Sequence, residues 1–370
     1  MIVVAKGPYG LGGNISVLAD AMRLGEALGC GVAADWAAGR YCVDGANVAD
    51  LLFDYDRRVP WPGSFDGCRV FPEAWSADVA TTVPPMRASS DPIWMSRAVD
   101  AEEYGLDALA CDYDVVVLSR DSKYWHSKDY ELAPYVQALR PNQEVRDGVA
   151  ALGLSRLDVG VHLRHGNGER SVVPPDVGWF FEQVDDLTEQ RSGSRIFLCT
   201  DCSAVVDAFV SRYGSRRVLT APKGYRPLGA GPMHAAKTSA DRYRSAVEAA
   251  TDMWALGQCG ALVRSAGFFS GTARNLGAPW RRGSLRLFAP VYRSYHQPAE
   301  ERPVTKTDQL GRSLIDAGVL LDGLYLSQAP ADDGRWDLFY LYWPVGRLGS
   351  PQEADDPAAI AAAVREHRLY

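Results

Sequence analysis

The segment Val159–Glu169 joins an apolar run to a polar cluster that could bind an anion. It reads Val-Gly-Val-His-Leu-Arg-His-Gly-Asn-Gly-Glu. Arginine can grip a phosphate group at two points, and the glycines near Arg164 let a bulky anion approach the backbone. A lone arginine at the end of a strand more often pairs with a surface carboxylate. Because histidines and glycines flank Arg164, we favour the anion site.

A parallel sheet is the element that would position this cluster. Apolar runs alternate with helix-forming segments on both sides of it, which predicts parallel strands covered by helices on both faces, with ligands at the carboxyl ends of the strands. The predicted strands are 157–164, 195–200, 217–219, 261–264 and 284–288, and the predicted helices are 176–190, 203–213, 241–257 and 270–276.

The first part of the chain has the same organisation. A strand at 2–5, a glycine-rich loop at 7–14 and a helix to residue 27 precede predicted strands at 32–36 and 114–118, and a helix over 130–152 is interrupted at Arg140–Pro141. Residues 57–95 favour irregular loops. Two facing halves of this kind predict an α/β fold of the GT-B-like type, with domains at 1–145 and 146–290. Residues 291–370 form a small α+β appendage with alternating runs at 319–326 and 336–343 and a helix over 357–367.

Composition excludes several classes of protein. The chain has 370 residues, 47% of them hydrophobic and 23% charged, as in an ordinary globular protein. The formal net charge of −7 argues against a dedicated nucleic-acid or anionic-membrane surface. We find no apolar stretch of membrane-spanning length, and the first apolar run is too short for a signal peptide. Seven scattered cysteines suit reduced thiols and a cytoplasmic location.

Five segments together resemble a known family. The string His162–Glu169 is the specific one; Phe197–Asp201, Gly231–His234, Asp252–Met253 and Cys259–Arg264 follow in the family's order. With these segments the chain resembles the α1,6-fucosyltransferases, and among them the bacterial nodulation-type enzymes that act on chitin oligosaccharides. The resemblance covers residues 1 to about 290 and is looser in the first half, where Gly10–Asn14, Asp35–Trp36 and Leu139–Pro141 carry it.

The resemblance implies an activity and a set of residue roles. Members transfer fucose from GDP-fucose to a hydroxyl group with inversion, without a metal ion or other cofactor, so residues 146–290 would bind the GDP-sugar and residues 1–145 would face a saccharide or natural-product acceptor. Arg164 would bind the diphosphate, His162 and Asp252 the guanine, and Asp201 the ribose. Further expected substrate contacts are Gly10, Gly12, Asn14, His165, His234, Ser270 and Thr272, the last two near the phosphates.

Several of these residues have a plainer interpretation. Asp201 stands where a helix begins and could be a helix cap. Asp252 could be a hydrogen-bonded, partly buried carboxylate, and His234 a loop histidine. The general base that accepts the proton of the hydroxyl group is assigned to Glu169, the nearest carboxylate after Arg164, with Asp176 as the alternative.

Two patterns imitate other classes of protein. The pair Asp54 and Asp56, like Asp112 and Asp114, has the spacing by which some glycosyltransferases hold a divalent metal, but the second pair precedes its strand, and such short patterns arise by chance. The opening glycine loop followed by Asp35 imitates a dinucleotide-binding fold, although the third glycine is missing. A nucleotide-dependent oxidoreductase is therefore one rival hypothesis, and a GDP-sugar-binding module without transfer activity is the other.

The acceptor is not identified by the sequence. Aromatic residues in the loops over 57–130 could stack on a sugar or an aglycone, or could be ordinary packing residues. They are Trp61, Trp75, Trp94, Tyr124 and Trp125. The oligomeric state is likewise left open.

Overall fold

The computed structural model describes most of the first 277 residues and short parts of the remainder. The described residues are 1–7, 9–37, 41, 46–61, 65–72, 75–76, 110–119, 132–167, 177–189, 191–225, 227, 229, 231, 233, 239–264, 267–277, 285–286, 302–303, 324–326, 335–340, 343–350, 352–353, 356, 358–359 and 362–363.

The first sheet is parallel and lies in the N-terminal part of the chain. Its strands are β1 (Ile2–Lys6), β2 (Gly31–Asp35), β4 (Val70–Phe71) and β5 (Val115–Leu118), in the order β2-β1-β5-β4. Almost every residue in them is buried, as expected for strands covered on both faces. Strand β4 falls within the segment predicted to be irregular. Its two apolar residues pair with β5, a tertiary contact that local sequence does not reveal.

Two short strands and several helices accompany this sheet in the described part of the N-terminal half. Helix α1 (Leu11–Ala27) follows β1, and α2 (Val48–Leu52) precedes β3 (Phe53–Asp54). The predicted interruption at Arg140–Pro141 is confirmed, because these residues form β6, which pairs antiparallel with β3. The interruption separates α3 (Ala133–Ala138) from α4 (Gln143–Ala151), whose first turn is capped by the Asn142 side chain.

The second sheet has five parallel strands. They are β7 (Val159–Leu163), β8 (Ile196–Thr200), β9 (Val218–Leu219), β10 (Ala261–Arg264) and β11 (Leu285–Arg286), in the order β11-β10-β7-β8-β9. The helices that connect them are α5 (Val177–Glu189), α6 (Ser203–Tyr213), α7 (Ser239–Gln258) and α8 (Phe268–Leu276). The alternation predicted for this part of the chain is confirmed, with most boundaries within two residues.

A third sheet lies in the C-terminal part and is antiparallel. Its order is β12 (Arg302–Pro303), β13 (Leu324–Leu326), β14 (Trp336–Tyr340) and β15 (Trp343–Leu348). The second alternating run is therefore divided between two paired strands. Of the helix predicted over 357–367, residues 358–359 and 362–363 are helical and the others lie outside the described residues.

The first two sheets share a hydrophobic core. One cluster of buried side chains includes residues of β1 and α1 from the first sheet and of α7, α8 and β10 from the second. Helices α1 and α8 touch closely, since a Cβ atom on Gly12 would lie 2.5 Å from the backbone of Phe269. Of the helices in the described residues, none is both long and apolar enough to cross a membrane.

Candidate active site

The loop after β7 carries Arg164 and is held from two sides. The Asp201 carboxylate, at the end of β8, accepts hydrogen bonds from the backbone N–H groups of His165 (2.7 Å) and Gly166 (2.9 Å). The carbonyl of Asn167 accepts hydrogen bonds from the N–H groups of Gly229 (3.2 Å) and Gly231 (2.8 Å).

The same loop turns through left-handed backbone. Gly166 has φ 81° and Asn167 has φ 46°, a region that glycine and asparagine tolerate better than other residues. The glycine and asparagine in the sequence string thus meet a requirement of the turn.

The His162 imidazole is buried and neutral. Its ring stacks on Phe269 of α8, with centroids 5.0 Å apart. Burial, together with the positive charges of Arg164, Arg264 and Lys223, lowers the pKa of His162 to about 3. The ring atom Nδ1 has no hydrogen-bond partner among the described residues. Because the His162 ring stays neutral, it is not repelled by the three positive side chains near it.

Three adjacent strands bring a row of side chains together. His162 is in register with Cys199 of β8 on one side and with Arg264 of β10 on the other. Arg264 is 2% exposed, and its Nη1 donates to the Ser270 hydroxyl at 3.0 Å. Because all three strands are parallel, the row lies at the carboxyl edge of the sheet, where ligands bind in open α/β folds.

A buried ion pair adjoins this row. Lys223, in the segment between β9 and α7, pairs with the Asp252 carboxylate of α7, which also accepts a hydrogen bond from the Cys199 thiol (3.0 Å). Burial opposes the charge on Lys223, but the Asp252 carboxylate outweighs it and the pKa of the lysine is raised. Burial, reinforced by the same carboxylate, raises the pKa of the Cys199 thiol, so it stays protonated. The Asp252 Oδ1 atom is buried and makes no hydrogen bond to the described residues.

Positive side chains gather around His162. Arg164, Arg264 and Lys223 all act on its ring, and Lys223 is paired with the Asp252 carboxylate. The Asp201 carboxylate lies at the end of the next strand, where it accepts hydrogen bonds from backbone N–H groups. We call Arg164, Arg264, Lys223, His162 and Asp252 the cationic cluster. Positive side chains at the carboxyl edge of a sheet suit a phosphate or diphosphate group.

The predicted contacts on α1 lie at its first turn. A Cβ atom on Gly10 would meet open space, whereas Gly12 is required for the contact with α8. The Asn14 side chain accepts a hydrogen bond from the N–H of Tyr9 (3.0 Å) and donates to the carbonyl of Gly7 (2.9 Å). Asn14 therefore shapes the loop before α1, and its contact with substrate stays a prediction.

Ser270 and Thr272 lie in the first two turns of α8 and are buried. Ser270 bonds to Arg264, and Thr272 donates to the Gly12 carbonyl at 3.1 Å. Ser270 is thus part of the arrangement around the cationic cluster, while Thr272 joins the two helices.

The structure decides two of the alternative roles that the sequence suggested: the helix cap for Asp201 is wrong, and the buried, hydrogen-bonded carboxylate for Asp252 is confirmed. The residue that caps α6 is Cys202, which makes no side-chain cap, and the Asp201 carboxylate binds the loop after β7 instead. Asp252 is indeed buried and hydrogen-bonded. The predicted general base Glu169, its alternative Asp176, and His234 lie outside the described residues.

The acidic pairs that imitate a metal site are bound to arginine. Asp54 and Asp56 both accept hydrogen bonds from Arg140 at 3.0 Å, and the bond from Arg140 lowers the pKa of Asp54. Asp114 accepts hydrogen bonds from the backbone and side chain of Arg69. In the part of the chain that the structure describes, no three His, Cys, Asp or Glu side chains are grouped to hold a metal.

The dinucleotide pattern is also explained by packing. The Asp35 carboxylate is buried in an ion pair with Lys6, so it does not face a ribose. Lys6 lies against the rings of Trp61 and Trp75, at 4.9 Å and 5.4 Å from their centroids. Trp75 is 1% exposed and is a packing residue, not a sugar platform. Trp94, Tyr124 and Trp125 lie outside the described residues.

Two residues of the cationic cluster were missed as site residues. Arg264 ends an apolar strand just as Arg164 follows one, and that shared signal could have identified it. Lys223 has no such signal, because it lies in an irregular segment and pairs with a carboxylate 29 positions away.

The two parallel sheets with their helices place the chain in the GT-B-like class of folds, as predicted. The crystal structure of a NodZ alpha-1,6-fucosyltransferase soaked with GDP-fucose superposes with a TM-score of 0.54 and 18% identity, covering 74% of this chain and 92% of that one. Fucosyltransferase NodZ from Bradyrhizobium gives a TM-score of 0.52 over 74% and 92% of the two chains, also at 18% identity.

Sequence comparison shows similarity to particular proteins of that class. Residues 110–276 match the family model of nodulation protein Z (NodZ). Nodulation protein Z of Sinorhizobium fredii is 24% identical over 298 residues, which are 71% of this chain and 86% of the relative. That of Azorhizobium caulinodans is 33% identical over 133 residues, 33% and 39% of the two chains. The chain is thus similar to the NodZ-type fucosyltransferases, which confirms the resemblance and supports the prediction of a glycosyltransferase.

Proposed function

We propose that this protein transfers L-fucose, or a related sugar, from a GDP-sugar to a hydroxyl group of a saccharide or natural-product acceptor, with inversion and without a metal ion. The observation that carries the proposal is the cationic cluster, which brings three positive side chains to the ligand-binding edge of the second sheet. The choice of donor comes from a similar structure that was soaked with GDP-fucose.

Arg164 binds the diphosphate in this mechanism. As the bond between the sugar and GDP breaks, negative charge grows on the leaving phosphate, and a guanidinium fixed beside it stabilises that charge. Arg264, which is buried and oriented by Ser270, adds positive potential near the same histidine. Two fixed guanidinium groups supply the kind of charge that a metal ion supplies in other transferases.

The guanine subsite is assigned to His162 and Asp252. Each has a buried polar atom without a hydrogen bond to the described residues, Nδ1 of His162 and Oδ1 of Asp252. Buried polar atoms are normally satisfied, so a ligand with its own donors and acceptors is a reasonable partner for both. The low pKa of His162 keeps its ring neutral and able to accept a hydrogen bond at one nitrogen.

Further roles remain proposals from the family resemblance. They are the base Glu169 or Asp176, the ribose contact of Asp201, and the contacts of Gly10, Gly12, Asn14, His165, His234 and Thr272. The acceptor side is assigned to residues 1–145 and the donor side to residues 146–290, and residues 291–370 are proposed to take no part in donor binding. We propose a cytoplasmic location on the evidence of the cysteines.

Donor binding is tested first by thermal unfolding with GDP, ADP and NAD. GDP at one hundred times its dissociation constant should add about 2.7 kcal/mol to the unfolding free energy, and NAD should add nothing. Stabilisation by NAD alone would restore the oxidoreductase hypothesis.

Transfer is tested next, with GDP-fucose and GDP-mannose against chitin oligosaccharides and a panel of glycosides, read by mass spectrometry. A fucosylated product, with the anomeric configuration inverted by NMR, is the expected result. Binding of GDP without turnover of either donor would instead identify a sugar-nucleotide-binding module.

A further inference from the structure

We propose that Asp201 is a positioning residue that fixes Arg164 through the backbone of the loop after β7. The inference rests on the proposed function, because it assumes that Arg164 binds the diphosphate. It gives Asp201 a task other than the ribose contact that the family resemblance implies.

The Asp201 carboxylate accepts hydrogen bonds from two consecutive backbone N–H groups. Oδ1 of Asp201 accepts the N–H of His165 at 2.7 Å, and Oδ2 accepts the N–H of Gly166 at 2.9 Å. The first of these N–H groups belongs to the peptide bond that joins Arg164 to His165. Its hydrogen bond therefore fixes the backbone torsion that follows the Cα atom of Arg164.

These two hydrogen bonds connect two neighbouring strands, β7 and β8, at their ligand-binding ends. Leu163 is in register with Thr200, so Arg164 and Asp201 are the first residues beyond paired strands. Asp201 is adjacent to α6 but contributes nothing to its cap. Both of its oxygens are directed to the loop, as a carboxylate is when it accepts charge-assisted bonds from backbone donors.

Hydrogen bonds hold the loop on both sides of its turn. Gly166 and Asn167 form the turn with positive φ, which glycine and asparagine accept more readily than other residues. The Asn167 carbonyl is held on the other side by Gly229 and Gly231. Asp201 thus secures the end of the loop that carries Arg164.

Asp201→Asn is the decisive variant. Asparagine keeps the shape but presents an NH₂ group to one of the two N–H donors, so one hydrogen bond becomes a repulsion. We expect kcat for GDP-fucose turnover to fall by about 10- to 100-fold, because a small displacement of a catalytic group has effects of that size. The dissociation constant of GDP should change by less than about threefold. The matched control is Asp207→Asn, an exposed carboxylate on α6, which should behave as wild type.

A double-mutant cycle with Arg164→Ala tests whether Asp201 acts through the arginine. Where no guanidinium is left to position, Asp201→Asn should cost less than about threefold in kcat. A loss that stays as large as in the wild-type background overturns the proposal. The ribose contact is tested separately with 2′-deoxy-GDP and 3′-deoxy-GDP. If either analogue abolishes the difference in affinity between wild type and Asp201→Asn, Asp201 binds the ribose and the positioning role is wrong.

The variant Asp201→Glu controls for the case in which Asp201→Asn does not fold. Asp201→Glu keeps the charge but moves the oxygens by one methylene group, so we expect a smaller loss of kcat with the same coupling to Arg164. Full activity of Asp201→Glu in a protein with the wild-type melting temperature overturns the proposal. Failure of the proposed function has a different signature: Arg164→Ala alone would then leave turnover and GDP affinity unchanged.

Discussion

Among the described residues two lysine–aspartate pairs are buried, one within the first parallel sheet and one beside the second, and they have different surroundings. Lys6 and Asp35 lie inside the first sheet, and the tryptophan rings of Trp61 and Trp75 cover the lysine. Lys223 and Asp252 adjoin the second sheet beside His162 and two arginines. The first pair is thus packed against aromatic rings, whereas the second belongs to the cationic cluster.

The difference separates a structural ion pair from one in a binding site. Burial is almost the same in both pairs, with every side chain at most 5% exposed. What distinguishes the second pair is an unused oxygen on its own carboxylate. Oδ1 of Asp252 has no hydrogen bond among the described residues, whereas the two oxygens of Asp35 accept hydrogen bonds from Lys6 and from the N–H of Ala37. A buried pair alone is therefore weak evidence of function, and an unused oxygen on its carboxylate is stronger evidence.

The largest expected effect comes from breaking each pair. Lys6→Met and Lys223→Met both leave a buried carboxylate without its cation, which should lower the unfolding free energy by about 3–5 kcal/mol in chemical denaturation. Only Lys223→Met should also weaken GDP binding, measured by calorimetry on the folded protein. Replacing both partners, as in Lys6→Met with Asp35→Asn, should recover much of the stability. Equal GDP affinity in the two lysine variants would remove the distinction between the pairs.

The next largest effect concerns Arg164. Arg164→Ala should reduce turnover by about 10² to 10³-fold, or roughly 3–4 kcal/mol, and weaken GDP binding much less. Arg164→Lys should restore part of the loss, because an ammonium group cannot grip two oxygens in a plane. Steady-state kinetics and calorimetry on both variants test this, with thermal unfolding as the control. Near-wild-type turnover in folded Arg164→Ala contradicts the diphosphate assignment.

A smaller, pH-dependent effect is expected from His162. Its pKa is about 3 in the folded protein and 6.5 when unfolded, so between these values the unfolded chain binds the extra proton. Stability should therefore fall as the pH is lowered from 6.5 towards 3, by up to about 1.4 kcal/mol per pH unit, and this contribution should be constant above 6.5. The test is chemical denaturation of wild type and His162→Gln from pH 4 to 8. Parallel curves for the two proteins would show that His162 is not held neutral.

No effect on turnover is expected from the acidic pair near β3. Asp54→Asn with Asp56→Asn removes only exposed carboxylates that bind Arg140, so turnover should be unchanged. Activity should also survive EDTA. Loss of activity in EDTA that manganese restores, and that the double variant reproduces, would show a metal-dependent enzyme and overturn the metal-free mechanism.

The elements of the second sheet were predictable because each satisfies a local rule. Helix α6 was predicted with its observed ends, from a polar start at Ser203 and the glycine after Tyr213, and the strand Ala261–Arg264 from its apolar run. Such strands are buried on both faces, so hydrophobicity alone marks them. Strand β4 was missed because two residues carry no periodic signal.

The site was predictable where residues lie next to strand ends and not where they come from loops. Arg164 and His162 follow or end a strand, and parallel order brings such residues to one edge. Lys223 reaches the cluster from an irregular segment, and its partner is fixed only by the packing of α7. The alternative of a helix cap for Asp201 was wrong because a carboxylate before a helix usually caps it, whereas here the loop after the neighbouring strand supplies the N–H donors.

The contact at Gly12 sets the spacing between the two halves of the molecule. A methyl group there would meet backbone atoms of α8, not a flexible side chain, so even alanine must act as a wedge and force α1 and α8 apart. Helix α8 also carries Ser270, the partner of Arg264, so such a displacement would move the helix that orients this arginine. The close packing of the two helices thus depends on the absence of one carbon atom at position 12.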